Sequence, residues 1–431
     1  MNGHRTEAFT QTDDTGLHGN ARVTTFAVHV TPWKHAFLKL YFPDRHFHFF
    51  PKNLSERDFE QTWKPRILAD KTSEFFVWGP ELPHPLAAIA VRQDIPVWFV
   101  EDGFIRSIRP SASRTAPFSL ALDRRAPYFD CRQASELELI LKTYDFEADA
   151  LLMARARAGI RLLLDQGISK YNDGCRRNAE QVYGPKSRKR VLVVGQVEDD
   201  ASIRYGCLAR LSNNDLVRLA AQEQPDAQIL YKPHPDVVSR VRPAQSDPGE
   251  VAHLCQIVTE RLPLAEALRT VDHVYTITSL AGFEALLRGI KVTAIGCPFY
   301  SGWGLTDDRQ PNPRRGRALS VEALFAGAYL IYPRYFDPET GRQTSYETTV
   351  AAIMAELAEG GTSSSGPRWR LWGPYGIFGW RHLLTAIVAP VIQRVGNDRD
   401  VEDFKADPIR FFRTLSDRRL RMVGRILYPF G

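Results

Sequence analysis

The 431-residue chain has no uninterrupted apolar run of the roughly 18–20 residues that a membrane-spanning helix requires. Its first residues, MNGHRTEAFTQTDDTG, have none of the apolar core of a secretory signal. Neither spanning nor secretion is expected. Cysteine is scarce: Cys131, Cys175, Cys207, Cys255 and Cys297 are scattered and form no C-x-x-C pair. That spacing argues against a zinc ribbon or dithiol redox centre and fits a reducing cytosol. The chain also lacks G-x-x-x-x-G-K-[ST] and a convincing G-x-G-x-x-G, so P-loop ATPase and ordinary nicotinamide-dehydrogenase readings lose support.

What is present suffices for two ordinary cores, since 44% of residues are hydrophobic and 25% charged. The formal charge of +6 is unevenly placed. From Gly366 to Gly431 there are 12 Lys and Arg against 6 Asp and Glu, so the tail carries the whole imbalance and the rest is close to neutral.

After a polar leader (1–22), VTTFAVHV, HFHFF, EFFVWG and PVWFVEDG read as strands separated by helical spacing. This β-α-β-α rhythm predicts a parallel sheet with helices on both faces. A second series starts at RVLVVGQ, whose continuous apolar run suggests a strand buried on both sides, and continues through AQILYK, HVYTITS and KVTAIG. The expected fold is α/β, with two facing doubly wound, Rossmann-like domains at 23–186 and 187–358 and a cleft at the carboxyl ends of their strands. A Gly/Ser linker (359–367) and a basic, aromatic tail (368–431) follow.

Candidate chemistry falls at predicted strand ends. Glu101-Asp102-Gly103 follows PVWFV and could place one carboxylate in the cleft as a general acid or base, although the same residues make an ordinary turn or cap. Gln196-Val197-Glu198-Asp199-Asp200 could supply a carboxylate nucleophile, a base or a metal ligand, or simply an acidic helix start. In Tyr231-Lys232-Pro233-His234-Pro235, a lysine and a histidine held between prolines suit an anion. Thr278 and Ser279 head the helix LAGFEALLRG, where hydroxyls and unpaired amides can cradle a phosphate. Ser279 can equally be a plain N-cap, and Glu284 further along could accept bonds from ribose hydroxyls. The loop PFYSGWGLT could stack its rings on a base or sugar, or bury them.

In this order, EDGFIRS, VLVVGQVEDDASIRYG, YKPHPDV and TSLAGFEALLRGIKVTAIGCPFYSGWGLT resemble the bacterial capsular polysaccharide β-Kdo transferases of the KpsC type. The similarity runs from about Phe75 to Tyr335. It implies a GT-B fold, CMP-Kdo as donor and retention of configuration. It also implies Asp200 as nucleophile with Asp199 as fallback, and Glu101 as acid/base. Gln196, Lys232, His234, Pro235, Thr278, Ser279 and Glu284 map to donor binding, with no metal and no cofactor beyond the donor substrate. Best-known members carry two transferase modules in tandem, whereas this chain has room for one.

The tail mixes arginines with aromatic residues at amphipathic spacing and suits an in-plane anchor on an anionic inner leaflet; a packed helix pair is the alternative. The resulting expectation is a cytoplasmic enzyme, peripheral at the inner face of the bacterial inner membrane. It would act on a lipid-linked glycan or phospholipid acceptor, within a capsule assembly complex and without nucleic acid. The competing readings are a transferase for another CMP-activated acid sugar, such as sialic acid, and a non-catalytic polysaccharide-binding or export scaffold.

Overall fold

Alternate residues of the strands feed different cores. In Val23–Val28, Phe26 and Val28 join Phe75, Val77 and Ile89, while Ala27 joins Phe37, Phe76 and Val100. This is the two-residue period of a strand, and with both faces apolar the sheet must be covered on both sides. The helix His35–Tyr41 brings Phe37, Leu38 and Tyr41 to one face, and His84–Gln93 brings Leu86, Ile89 and Ala90 to the other.

The computed structural model describes residues 22–51, 54–107, 115–170, 178–238, 245–260 and 262–358, with isolated positions between 388 and 427. The expectations for the leader up to residue 21, for the linker and for most of the tail lie outside the described residues. Those tail positions that are described include Ala389, Ile392, Val401, Phe404, Phe411 and Phe412, which bury one another in a small apolar cluster.

The first sheet runs Gln343–Thr344, Pro333–Phe336, Ser119–Asp123, Val97–Asp102, Glu74–Trp78, Val23–Val28, Arg45–Phe49. The last four are parallel, and the three junctions before them are antiparallel. The sheet is therefore mixed, not parallel throughout. Ser119–Asp123 escapes sequence reading because SLALD has no β-branched residue and no polar alternation, being buried at all five positions. The expected segment 187–358 also contains two strands of this sheet, because the chain returns to it at Pro333.

The second sheet, Asp307–Asp308, Lys291–Ala294, His273–Thr276, Arg190–Val194, Gln228–Lys232, Gln256–Ile257, is parallel throughout. Val191 and Val193 enter one core with Ile229 and Tyr231, and Leu192 enters another with Leu230 and Val274. Strand order reverses between Arg190–Val194 and His273–Thr276. Connections leave these two strands in opposite directions, which opens a crevice at their carboxyl ends.

One core joins the two sheets. Phe104, Ile105, Phe118 and Ala121 from the first half pack with Leu192, Leu230, Phe283 and Tyr329 from the second. A buried ion pair reinforces the junction: Glu138 binds Arg314 Nε at 2.7 Å and Arg315 Nε at 2.9 Å. The aromatic loop also turns inward. Phe299, Tyr300 and Trp303 are buried, and Trp303 Nε1–H donates to the Phe299 carbonyl at 2.8 Å. These rings pack the core and do not form a stacking face.

Candidate active site

Glu101 and Asp102 are the last two residues of the strand Val97–Asp102, not a turn beyond it. Successive strand side chains leave opposite faces, so the pair is split. Asp102 lies opposite Leu120, on the face packed by Tyr41 and Phe336. There it accepts from Arg106 Nε at 2.8 Å, and the Arg106 side chain is wholly buried. Burial pushes its pKa up, but Arg106, Lys34 and Lys170 prevail and hold it below the usual range. Glu101 lies opposite Ala121, on the face turned to the shared core. Burial pushes its pKa up, Lys34 and Lys170 oppose this, Asp102 adds to it, and the outcome is a raised value. Of the two acids, Glu101 is thus the one whose proton affinity is raised, as an acid/base group requires.

At the strand reversal, Gln196 bonds directly to Thr278. Its Oε1 accepts from Thr278 N–H at 2.8 Å, and its Nε2 donates to Thr278 Oγ1 at 3.1 Å. Ser202, which the sequence did not single out, joins them: Thr278 Oγ1 donates to Ser202 Oγ at 3.3 Å. Ser202 N–H in turn donates to Asp200 Oδ1 at 2.8 Å, so Asp200 caps the helix Ala201–Gly206. Both Asp199 and Asp200 are exposed.

The helix Leu280–Leu287 starts where expected, but several of its amides are taken. Thr278 N–H is held by Gln196, Ser279 N–H by Thr276 Oγ1 at 3.1 Å, and Ala281 N–H by Ser279 Oγ at 3.2 Å. Ser279 is thus the N-cap, and the hydroxyls of this turn replace these amides as the groups offered to an anion. Tyr300 buttresses the turn from below, its hydroxyl donating to the Ser279 carbonyl at 2.5 Å. Glycine is needed at 282 because a Cβ there would run into the Tyr300 hydroxyl.

His234 lines a hollow with Gln196, Glu198, Asn213, Tyr231 and Ser246. Asp236 N–H donates to His234 Nδ1 at 3.1 Å, which leaves Nε2 to carry the proton of the neutral ring and to act as donor. Glu198 fixes the wall, accepting from Asn213 N–H at 2.7 Å and Ser246 Oγ at 2.6 Å. Pro235 opens the short helix Pro235–Val238 behind the histidine. Lys232 points elsewhere. Its ammonium donates to the Glu260 carbonyl at 3.3 Å, and the residue does not line this hollow.

Glu284 is buried in the helix Leu280–Leu287. Its Oε1 accepts from Lys170 N–H at 3.3 Å, and Arg288 lies 3.7 Å from Oε2. Burial outweighs both and pushes its pKa up to about 7.

Tyr128 links the two halves. Its ring packs on Phe104 and Phe299, and burial pushes its hydroxyl pKa far up. Lys170 pulls it down, while Glu101, Asp102 and Asp200 all push it up. Gln196 connects the hollow lined by His234 to Thr278 at the helix start.

A profile described as capsule polysaccharide biosynthesis protein matches residues 76–335. The chain belongs to that family. It is 43% identical over 350 residues to the lipopolysaccharide-processing protein LpsZ of Rhizobium meliloti, covering 79% of this chain and 78% of LpsZ. It is 38% identical over 292 residues to the capsule polysaccharide modification protein LipA of Neisseria meningitidis serogroup B, covering 68% of this chain but 40% of LipA. Among solved structures, the β-Kdo 2,4 transferase of Thermosulfurimonas dismutans KpsC matches with a TM-score of 0.64 and 28% identity, over 78% of this chain and 98% of that one. Its β-Kdo 2,7 transferase matches with 0.61 and 32%, over 78% and 99%. The resemblance to the KpsC type drawn from the four segments is borne out. Among the described residues no helix is long and apolar enough to cross a membrane.

Proposed function

We propose that this protein is a retaining glycosyltransferase that moves Kdo from CMP-Kdo to a lipid-linked glycan or phospholipid acceptor in capsule or related surface-polysaccharide synthesis. The observation carrying this reading is the match to two solved Kdo transferases, each over 78% of this chain and at least 98% of theirs. Two carboxyl groups in different surroundings are what a double displacement needs. Asp200 Oδ1 caps its helix, so Oδ2 attacks the anomeric carbon and CMP leaves as the carbon–oxygen bond breaks. Glu101 then takes the proton of the acceptor hydroxyl as that oxygen displaces Asp200. His234 Nε2–H and the hydroxyls of Thr278 and Ser279 receive the charge that builds on the phosphate. Lys232 has a smaller part than the resemblance implies, because its ammonium is turned to Glu260.

The solved Kdo transferases that match nearly end to end support this donor class. The acceptor fits a chain whose basic, aromatic tail suits the anionic inner leaflet of the bacterial inner membrane, which would make the enzyme cytoplasmic and peripheral. Purified protein incubated with CMP-Kdo and membrane extract should release CMP and yield a product whose NMR coupling pattern is that of β-Kdo. CMP-sialic acid should be inert. A normal glycan made in cells by an Asp200→Asn protein would instead support a scaffold role.

A further inference from the structure

Where the first sheet ends, one loop crosses several strand termini. The strand Val23–Val28 stops at His29, which is exposed and holds φ at 59°. The other described non-glycine residue with positive φ, Asp94, closes the helix His84–Gln93, where such a conformation is common. At a strand end it is strained, and it turns the chain aside. Pro32-Trp33-Lys34 then forms a single turn, closed by Lys34 N–H on the Thr31 carbonyl at 2.9 Å. The Lys34 ammonium lies 3.1 Å from the ring centroid of Trp78, the last residue of the next strand, and the Arg106 guanidinium carbon lies 5.9 Å from the centroid of Trp33. Arg106 in turn bonds Asp102 at 2.8 Å, at the end of the strand beyond. The loop thus spans the carboxyl ends of three neighbouring strands.

We propose that this loop holds an acceptor sugar, with Trp33 against its ring and the Thr31 hydroxyl and Asp102 Oδ1 bonded to its hydroxyls; this deepens, and rests on, the transferase reading above. Thr31 Oγ1 and Asp102 Oδ1 are buried and have no hydrogen-bond partner. Arg106 bonds only Oδ2 of Asp102, and Thr31, although it stands at the N-cap of the turn, makes no side-chain cap bond. Leaving a buried polar atom unpaired is unfavourable, so two of them joined by one loop mark groups built for a partner. Trp33 is half-buried, its ring centroid 5.7 Å from that of Phe37, and its apolar face suits the C–H face of a sugar ring.

The donor set selects the kind of acceptor. Asp102 stays a carboxylate and can only accept hydrogen bonds, which suits a hydroxyl and disfavours a phosphate. Thr31 can donate or accept, as a second hydroxyl requires. Glu101 precedes Asp102 on the same strand and leaves its opposite face, so a ring bonded to Asp102 at one edge turns its other edge towards the group that takes the acceptor proton. A phospholipid headgroup brings a phosphate to a carboxylate and no ring to Trp33. The acceptor end is therefore a glycan.

The test gives wild type, Thr31→Val, Trp33→Ala and Trp33→Phe CMP-Kdo together with either the lipid-linked glycan fraction of a membrane extract or phosphatidylglycerol vesicles. A neutral hydrogen bond corresponds to about twofold to tenfold in binding. Thr31→Val should raise the half-saturating glycan concentration by about that factor, with KM for CMP-Kdo unchanged. Its Tm should hold or rise, because valine has nearly the same shape and removes an unpaired hydroxyl. Trp33→Ala should raise the half-saturating concentration more, and Trp33→Phe should restore most of the loss. Asp102→Asn is a poorer probe, since it also weakens the bond to the wholly buried Arg106. If Trp33→Ala does not fold, Trp33→Leu takes its place. An unchanged half-saturating glycan concentration in Thr31→Val or in the Trp33 variant, or transfer by wild type to phosphatidylglycerol alone, overturns the inference and leaves the transfer reading standing. A wild type inert towards every CMP-activated acid sugar overturns both.

Discussion

Gly282→Ala should destabilise the protein even though alanine is the better helix former. Within a helix, alanine gains about 1 kcal/mol over glycine. Here the added Cβ would meet the Tyr300 hydroxyl and come within 2.7 Å of its Cζ and 3.0 Å of Cε2. Tyr300 is fully buried and bonded to the Ser279 carbonyl, so it cannot swing into solvent. Overpacking of this kind costs about 1–3 kcal/mol. The displaced hydroxyl, still buried, also gives up its bond to the Ser279 carbonyl, at about 1–3 kcal/mol more. The net expectation is a loss of about 1–5 kcal/mol, read as a fall of several degrees in Tm by calorimetry. Because the shift starts beneath Thr278 and Ser279, CMP affinity should fall with it. Tyr300→Phe alone should lose less, and adding it to Gly282→Ala should recover part of the loss, because the two residues are in contact. An unchanged or higher Tm for Gly282→Ala would refute the reasoning.

Asp200→Asn should abolish transfer while keeping Tm, because asparagine caps a helix about as well as aspartate. Asp200→Ala should lose activity and also about 1 kcal/mol of stability, measured by urea unfolding. Glu138→Ala should cost about 3–5 kcal/mol in the same assay, since it strands the buried Arg315 guanidinium. Glu284 gives a pH signature. From the ordinary 4.5 up to about 7, the folded protein keeps a proton that the unfolded chain has lost, so stability falls as pH rises through this window. The size is about 3 kcal/mol. In Glu284→Gln this slope should vanish, so its stability relative to wild type should grow between pH 4.5 and 7; parallel curves would contradict the assignment.

Strand ends were legible in the sequence because continuous apolar runs stopped at polar residues. RVLVV ended before Gln196, and HVYT before Thr278, and these two residues are bonded in the structure. Three of the four segments that carry the family resemblance follow strands of the second sheet, and the fourth, EDGFIRS, closes a strand of the first. What could not be read depends on partners distant in sequence. Glu101 and Asp102 look equivalent along the chain, and only their register with Ala121 and Leu120 separates one face from the other. Ser119–Asp123 is a strand because its neighbours bury it, not because of its residue types. Lys232 sits in a promising motif, yet its side chain turns to Glu260. Tyr128 lies outside the four segments, and Ser202 lies inside one of them, where nothing in its neighbours marks it apart from the acids before it. Their significance comes from the shared core that folds the first half of the chain against the second.

The central claim, that Asp200 captures a CMP-activated sugar within reach of Glu101, is tested most directly by peptide mass spectrometry. The protein is incubated with CMP-Kdo in the absence of acceptor, quenched in acid and digested. The account predicts a Kdo adduct on the peptide that contains Asp200, accumulating in Glu101→Gln and absent in Asp200→Asn. An adduct on another residue, or continued transfer by Asp200→Asn, would contradict it.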